Sequence, residues 1–262
     1  MTSGKQARRQ RQAQVARPPV RSTEGRRASP AVLISALVGL VGIAAVVVAI
    51  VVFAGGGSGS SSPGGSTLPD ANVIAQQFAG IPQQGNVLGK ASAPATMVEY
   101  IDLQCPICRA FETDTMPSIL QRYVRTGKLK VEARPIAFIG QDSERGRRGM
   151  IAAEEQNRAF NFAQLLYFNQ GAENSGWLDD SMIASAAASI PGVNVKALQD
   201  AMNSSAVADT EQTYDSQAEA DHVTGTPAIY VGRTGGKLTA VSPGQAPDVA
   251  TLSAAVDSAL GQ

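Results

Sequence analysis

Cysteine and histidine are scarce in this chain: its 262 residues include two cysteines, both inside Cys105-Pro106-Ile107-Cys108, and one histidine, His222. A structural zinc ion normally takes four Cys or His ligands, so the tetrapeptide read as a zinc half-site has nothing to complete it. No cysteine stands near the N-terminal apolar run to carry a lipid. A phosphate loop is missing too, because Gly232 to Gly236 (GRTGG) lacks the strand-to-helix setting such a loop needs and reads as a hairpin turn. No redox cofactor motif is present either. Net charge is also absent, with 22 Lys and Arg against 22 Asp and Glu.

That neutrality hides an asymmetry. The first thirty residues carry eight basic side chains (Lys5, Arg8, Arg9, Arg11, Arg17, Arg21, Arg26, Arg27) and one acid, Glu24, which leaves the remainder with 14 basic and 21 acidic residues. A basic arm of this kind can bind nucleic acid, but the segment next to it argues for a topology signal. Residues 31–54 are 24 residues without a charge, enough to cross about 30 Å of hydrocarbon. They exceed the apolar core of a signal peptide, about 7–15 residues, so a retained transmembrane helix is expected; a signal-peptidase cut near Phe53-Ala54-Gly55 is the alternative. Arg-rich flanks stay in the cytoplasm, which places the rest of the chain outside, where a disulfide persists. The tail, 1–30, is expected to be disordered. Residues 55–67 form a Gly/Ser spacer reaching ~20 Å, and the globular body is 68–262.

Within the body, 72–78 reads as a short helix, 86–89 as a short strand and 95–102 as a buried strand of β-branched and aromatic residues. A helix starts at the first cysteine, with apolar positions at Phe111, Met116, Ile119, Leu120, Tyr123 and Val124, a kink expected at Pro117 and a stop at Gly127. A strand over 129–136 comes next. The segment 141–223 is helical almost throughout, with stretches at 149–168, 180–189 and 195–220. Strands at 228–231 and 237–241 and a helix at 248–260 close an α/β chain. The dithiol therefore lies where a strand gives way to a helix. A cysteine there faces unsatisfied N–H groups and the positive end of the helix dipole, which favours its thiolate and lowers its pKa. A redox dithiol is the leading reading, with two incidental structural thiols as the other.

The strand, the CxxC opening a Pro-bearing helix, Thr226-Pro227 entering a late strand and the closing ββα together resemble the thioredoxin fold. With a large helical insertion at about 141–223, between the CxxC-bearing βαβ unit and the cis-proline ββα unit, the chain resembles the DsbA-like thiol–disulfide oxidoreductases, in particular the membrane-anchored Gram-positive and actinobacterial kind. The resemblance covers about 85–262 and rests on Asp102-Leu103-Gln104-Cys105-Pro106-Ile107-Cys108, Phe111-Glu112 and Gly225-Thr226-Pro227. It implies that Cys105 is the exposed nucleophile and Cys108 the resolving thiol. It also implies that Glu99, six residues before Cys105, is a buried acid able to relay a proton to Cys108. The alternative for Glu99 is a strand-edge carboxylate facing water, although its flanks Met97, Val98, Tyr100 and Ile101 are apolar. Thr226-Pro227 becomes the cis-proline loop beside the dithiol, offering Thr226 backbone to an extended substrate and keeping metals away. Pro106 fits a first helical turn. Ile107 departs from the CPHC form of the most oxidising members, because an alkyl group donates no hydrogen bond to sulfur, so a weaker oxidant is expected.

Other residues read more plainly: Asp102 as a solvated or capping acid, His222 as a surface or hinge residue, Trp177 as packing, and Arg145-Gly146-Arg147-Arg148 as a solvated helix start. The resemblance implies an extracytoplasmic oxidoreductase that introduces disulfides into exported thiol-containing proteins. It would be reoxidised by a membrane quinone-linked thiol oxidase of the DsbB or vitamin-K-epoxide-reductase type, with no bound cofactor. The same site run in reverse would serve a reductase or isomerase, though no dimerisation domain of the isomerase kind is evident. A third reading is a non-catalytic binding module using the groove beside the dithiol.

Overall fold

The computed structural model describes residues 67–242 and 245–262. The expectations for the tail, for the 31–54 span and for all but the last residue of the spacer lie outside the described residues. Among the described residues no helix is long and apolar enough to cross a membrane.

A run of β-branched and aromatic residues makes β3 (Ala95–Ile101) the centre of the sheet, buried at every position. It pairs in parallel with β4 (Leu129–Pro135) and antiparallel with β5 (Ala228–Arg233). The edges are β2 (Val87–Leu88) and β1 (Gln83–Gln84) beyond β4, and β6 (Thr239–Val241) beyond β5, giving the order β1-β2-β4-β3-β5-β6. The two-residue strand β1 is too short to leave a periodicity in the sequence.

Alternate residues of a strand face opposite sides of the sheet. Met97 and Ile101 therefore point into the larger core, and Val98 and Tyr100 into a smaller one with Ile136 and Ala218. Glu99 shares its parity with Met97 and Ile101, which turns a carboxyl group toward the main core.

Helix α1 (Ala71–Phe78) precedes the sheet. After β3 comes one continuous helix, α2, over residues 106–124, which is α-helical at Pro106–Ala110 and Met116–Ile119 and π-helical at Phe111–Thr115 and Leu120–Val124. Pro117 explains the first π turn. Having no N–H, it cannot bond the preceding turn, and Met116 instead bonds Phe111 five residues back, so a widened turn absorbs the proline. The helix stops at Gly127, whose φ of 73° suits the left-handed position that ends a helix.

Five helices fill the predicted insertion: α3 (Gln141–Glu154), α4 (Ala159–Phe168), α5 (Asp180–Ala188), α6 (Val195–Ala201) and α7 (Ser205–Ala220). A last helix, α8 (Val249–Leu260), closes the chain. Two breaks differ from the sequence expectation. The 149–168 stretch is divided at Asn157, which takes a left-handed φ of 58°, and the 195–220 stretch at Ser204, whose side chain caps Val207 N. Asn tolerates that conformation and Ser satisfies a free helix N–H, but high helix propensity on both sides masks each break.

The Arg145–Arg148 cluster lies near a helix start as expected, with Arg148 exposed and Arg145 partly so, but Arg147 is not solvated. Arg147 is buried and bonds Glu211 at 3.0 Å and Asp215 at 2.7 Å on α7, with Glu144 at 3.1 Å, while Arg148 reaches Glu211 at 3.2 Å. Glu144 lies one turn back, but Glu211 and Asp215 lie more than sixty residues downstream, so the sequence around the arginines gives no sign of those two. Removing one partner of a buried ion pair strands the other charge. Arg147→Ala should therefore lower unfolding stability by about 3 kcal/mol in urea denaturation, with Arg148 limiting the loss.

Candidate active site

Cys105 is the N-cap of α2, with extended backbone (φ −69°, ψ 118°), and Pro106 occupies the first helical position. Because the helix begins here, the backbone N–H of Cys108 points back and donates to Cys105 Sγ at 3.3 Å. The Cys105 thiol donates in turn to the carbonyl of Thr226 at 3.4 Å. Thr226-Pro227 is a cis peptide, and the structure thus brings Cys105, Cys108 and Thr226-Pro227 together. Both cysteines are free thiols.

The two sulfurs are electrostatically unlike. Hydrogen bonding from the Cys108 thiol and backbone, outweighing partial desolvation and aided by Thr226 and the Ile107 N–H, lowers the Cys105 pKa to about 6. Burial pushes the Cys108 thiol well up, and the neighbouring Cys105 pushes it further. Cys108 is fully buried and Cys105 is 5% exposed, its sulfur opening on a shallow groove lined by Phe138, Ile139, Val223, Thr224, Gly225 and Thr226. Ile107 and Phe138, at 51% and 53% exposure, are two of the three large apolar side chains exposed among the described residues. Phe138 lines this opening, and Ile107 follows Cys105 by two residues.

Glu99 is buried rather than a strand-edge carboxylate. Its parity on β3 turns it toward α2, where Glu112, four residues after Cys108, occupies the same helix face. Desolvation raises the pKa of both, and the negative charge of Glu112 raises Glu99 further. Tyr167 is buried against this cluster. Burial holds its hydroxyl up, as do the nearby charges of Cys108, Glu112, Asp102 and Glu99.

The larger correction concerns Asp102, which is buried completely. Its carboxylate accepts from Gln104 N, Ser143 Oγ, Phe138 N and Ile139 N at 2.7–3.1 Å. The insertion adds further ties to the same loop. Gln170 donates to the carbonyls of Leu103 and Cys105 at 3.0 and 3.2 Å, Tyr167 to that of Asp102 at 3.2 Å, and Gln164 to that of Glu112 at 3.0 Å. Gln104 joins Ser143 and Asn174. Sequence reasoning missed this set. The available signal was the three-residue spacing of Gln164 and Tyr167 on a largely apolar helix, with Gln170 three residues further on, just beyond its end. Trp177 packs partly buried against the core, and His222 is exposed with a left-handed φ of 56°. Among the described residues no group of three or more His, Cys, Asp or Glu could hold a metal ion.

Fold and site together define a DsbA-like thiol–disulfide oxidoreductase class. The chain belongs to the thioredoxin family, since a family profile described as Thioredoxin matches residues 83–257. It is 27% identical over 159 residues to the probable disulfide bond formation protein D of Bacillus cereus, covering 60% of this chain and 73% of that protein. It is also 27% identical over 157 residues to disulfide bond formation protein D of Bacillus subtilis, covering 55% and 66%. The crystal structure of oxidised BdbD from Bacillus subtilis superposes with a TM-score of 0.59 at 21% identity, over 77% of this chain and all of that one. Wolbachia pipientis alpha-DsbA1 superposes at 0.58 and 21%, over 67% and 90%.

The Cys105 thiolate should titrate with a midpoint near pH 6, monitored by its ultraviolet absorbance or by alkylation rate. A pKa below that of the unfolded thiol, about 8.5, stabilises the fold above the unfolded value and loses that contribution as pH falls through the folded one. Thermal melts should therefore show the reduced protein gaining on the oxidised one as pH rises from about 6 to about 8.

Proposed function

We propose that this chain is an extracytoplasmic oxidoreductase that forms disulfides in exported proteins through Cys105-Pro106-Ile107-Cys108. The observation that carries this reading is the inequality of the two thiols: a Cys105 pKa of about 6 beside a buried Cys108 held well above its ordinary value. Stabilising the Cys105 thiolate stabilises the reduced enzyme, which makes its disulfide a readier oxidant. Names borne by the Bacillus relatives, disulfide bond formation protein D, point the same way.

In the forward reaction a substrate thiolate attacks Cys105 Sγ of the oxidised pair. The Cys105–Cys108 bond breaks and its electron pair leaves on Cys108. Because the buried Cys108 thiolate is unfavourable, it takes a proton, and the Glu99–Glu112 pair, kept protonated by burial, is the donor at hand. A second substrate thiolate then attacks the substrate sulfur of the mixed disulfide and expels Cys105 as its stabilised thiolate. The substrate loses two electrons and the enzyme holds them as a dithiol. Thr226 presents backbone to an extended substrate segment beside Cys105, Pro227 holds that loop in its turn, and Ile107 and Phe138 offer apolar contact.

Reoxidation falls to a membrane quinone-linked thiol oxidase of the DsbB or vitamin-K-epoxide-reductase type. The basic tail and the uncharged 31–54 run support a single-pass anchor with the N-terminus in the cytoplasm and the catalytic domain outside, the 55–67 spacer giving it reach. The Ile107 side chain, unlike its backbone N–H, supplies no hydrogen bond to either sulfur, which moderates the oxidising power.

The reduction potential of the detergent-solubilised full chain tests the direction. A value near or above about −180 mV supports disulfide formation, and one near the roughly −270 mV of thioredoxin overturns it in favour of a reductase. In Cys108→Ser the Cys105 thiolate can attack an already oxidised substrate disulfide, releasing one substrate thiolate, and no Cys108 remains to resolve the product. Mixed disulfides should therefore accumulate, whereas Cys105→Ser should form none. Glu99→Gln should slow breakdown of the enzyme disulfide on the order of 10²-fold while leaving the Cys105 titration in place, as read by rapid-mixing kinetics.

A further inference from the structure

We propose that Asp102 is a positioning residue that sets the peptide groove, by pinning the Phe138–Ile139 wall to the loop carrying Cys105. This deepens the proposed disulfide-forming function and rests on the groove taking a cysteine-bearing peptide. Asp102 is the last residue before that loop and its carboxylate is completely buried. One oxygen accepts from Gln104 N at 2.9 Å, next to Cys105, and from Ser143 Oγ at 2.7 Å on α3. The other accepts from Phe138 N at 2.9 Å and Ile139 N at 3.1 Å. Four donors fill the lone-pair sites of both oxygens.

Those donors are not spread at random. Two belong to the wall of the groove facing Val223–Thr226 and one to the residue preceding the nucleophile. A rigid carboxylate thus spans the distance between reacting sulfur and groove wall, and Asn174 ties the same loops a second time by bonding the Ile139 carbonyl and Gln104. Phe138 is half exposed, and the bond from its backbone N–H to Asp102 ties it in place. Only a group with acceptors on both ends serves here. An amide of the same shape turns an N–H₂ toward N–H donors whichever way it is oriented, and one side of the clamp opens.

The test uses oxidised full-length protein in single-turnover reactions with two reductants, a reduced cysteine peptide flanked by apolar residues and dithiothreitol, which is too small to span the groove. For Asp102→Asn the half-saturating peptide concentration should rise about 10-fold, the equivalent of one charge-assisted hydrogen bond. The maximal rate, the dithiothreitol rate and the Cys105 titration should stay within about twofold. An unchanged half-saturation, or a dithiothreitol reaction slowed by the same factor, overturns the proposal. Ser143→Ala removes one donor and keeps the carboxylate. If Asp102→Asn does not fold, Ser143→Ala decides: a rise of about threefold for the peptide alone supports the clamp, and any other result overturns it. Failure of the function itself would look different, because wild-type protein would then show no saturable reaction with the peptide, and both readings would fall.

Discussion

A sulfur atom at the first turn of α2 is held by the backbone N–H groups of that turn, and much of the surrounding structure serves to keep those groups fixed. Hydrogen-bond donors stabilise a thiolate in proportion to how well they are ordered beforehand. Here the order comes from both ends of the helix. At the start, Gln170 and Tyr167 grip the carbonyls of residues 102, 103 and 105. Farther along, Thr115 bonds the Pro247 carbonyl and Tyr123 bonds Asp257 on α8. The π turns let one helix keep both sets of contacts although Pro117 interrupts its bonding.

Only two residues separate the two cysteines, yet hydrogen bonding lowers the pKa of Cys105 while burial raises that of Cys108. Cys105 gains donors at the helix end, whereas Cys108 is carried one turn into a region already holding Glu99, Glu112 and Tyr167. A low-dielectric interior disfavours several negative charges at once. Protons are therefore retained there, beside the Cys108 sulfur. The acid pair is a consequence of two periodicities meeting, alternate residues on β3 and every fourth residue on α2.

The helical insertion contributes more than cover. Its α4 helix reads as an apolar core element, but Gln164 and Tyr167 on it, and Gln170 just beyond, all bond backbone carbonyls around the dithiol, while Ser143 on α3 reaches Asp102. Buried carbonyls left without donors would cost stability. The insertion satisfies them and so locks the active loop to a second body of packed helices, something the sheet alone does not do.

Much of the architecture was legible in the residues themselves. The β-branched run before Cys105, the CxxC at a strand-to-helix junction, the alternation over 129–136 and the helix stop at Gly127 are local patterns, and local backbone preference settles them. The breaks at Asn157 and Ser204 were not legible, because strong helix formers surround each. By itself the sequence singled out the candidates for chemistry: one dithiol, Thr226-Pro227 and the Glu99 carboxylate on a buried strand. Only the tertiary structure decided that Asp102 is interior and fully bonded, that Glu112 faces Glu99, and that Arg147 is buried against Glu211. The physical reason is common to all three. The environment of a charged side chain is set by partners tens of residues away, or on another element, and nothing in its own neighbourhood along the chain encodes them.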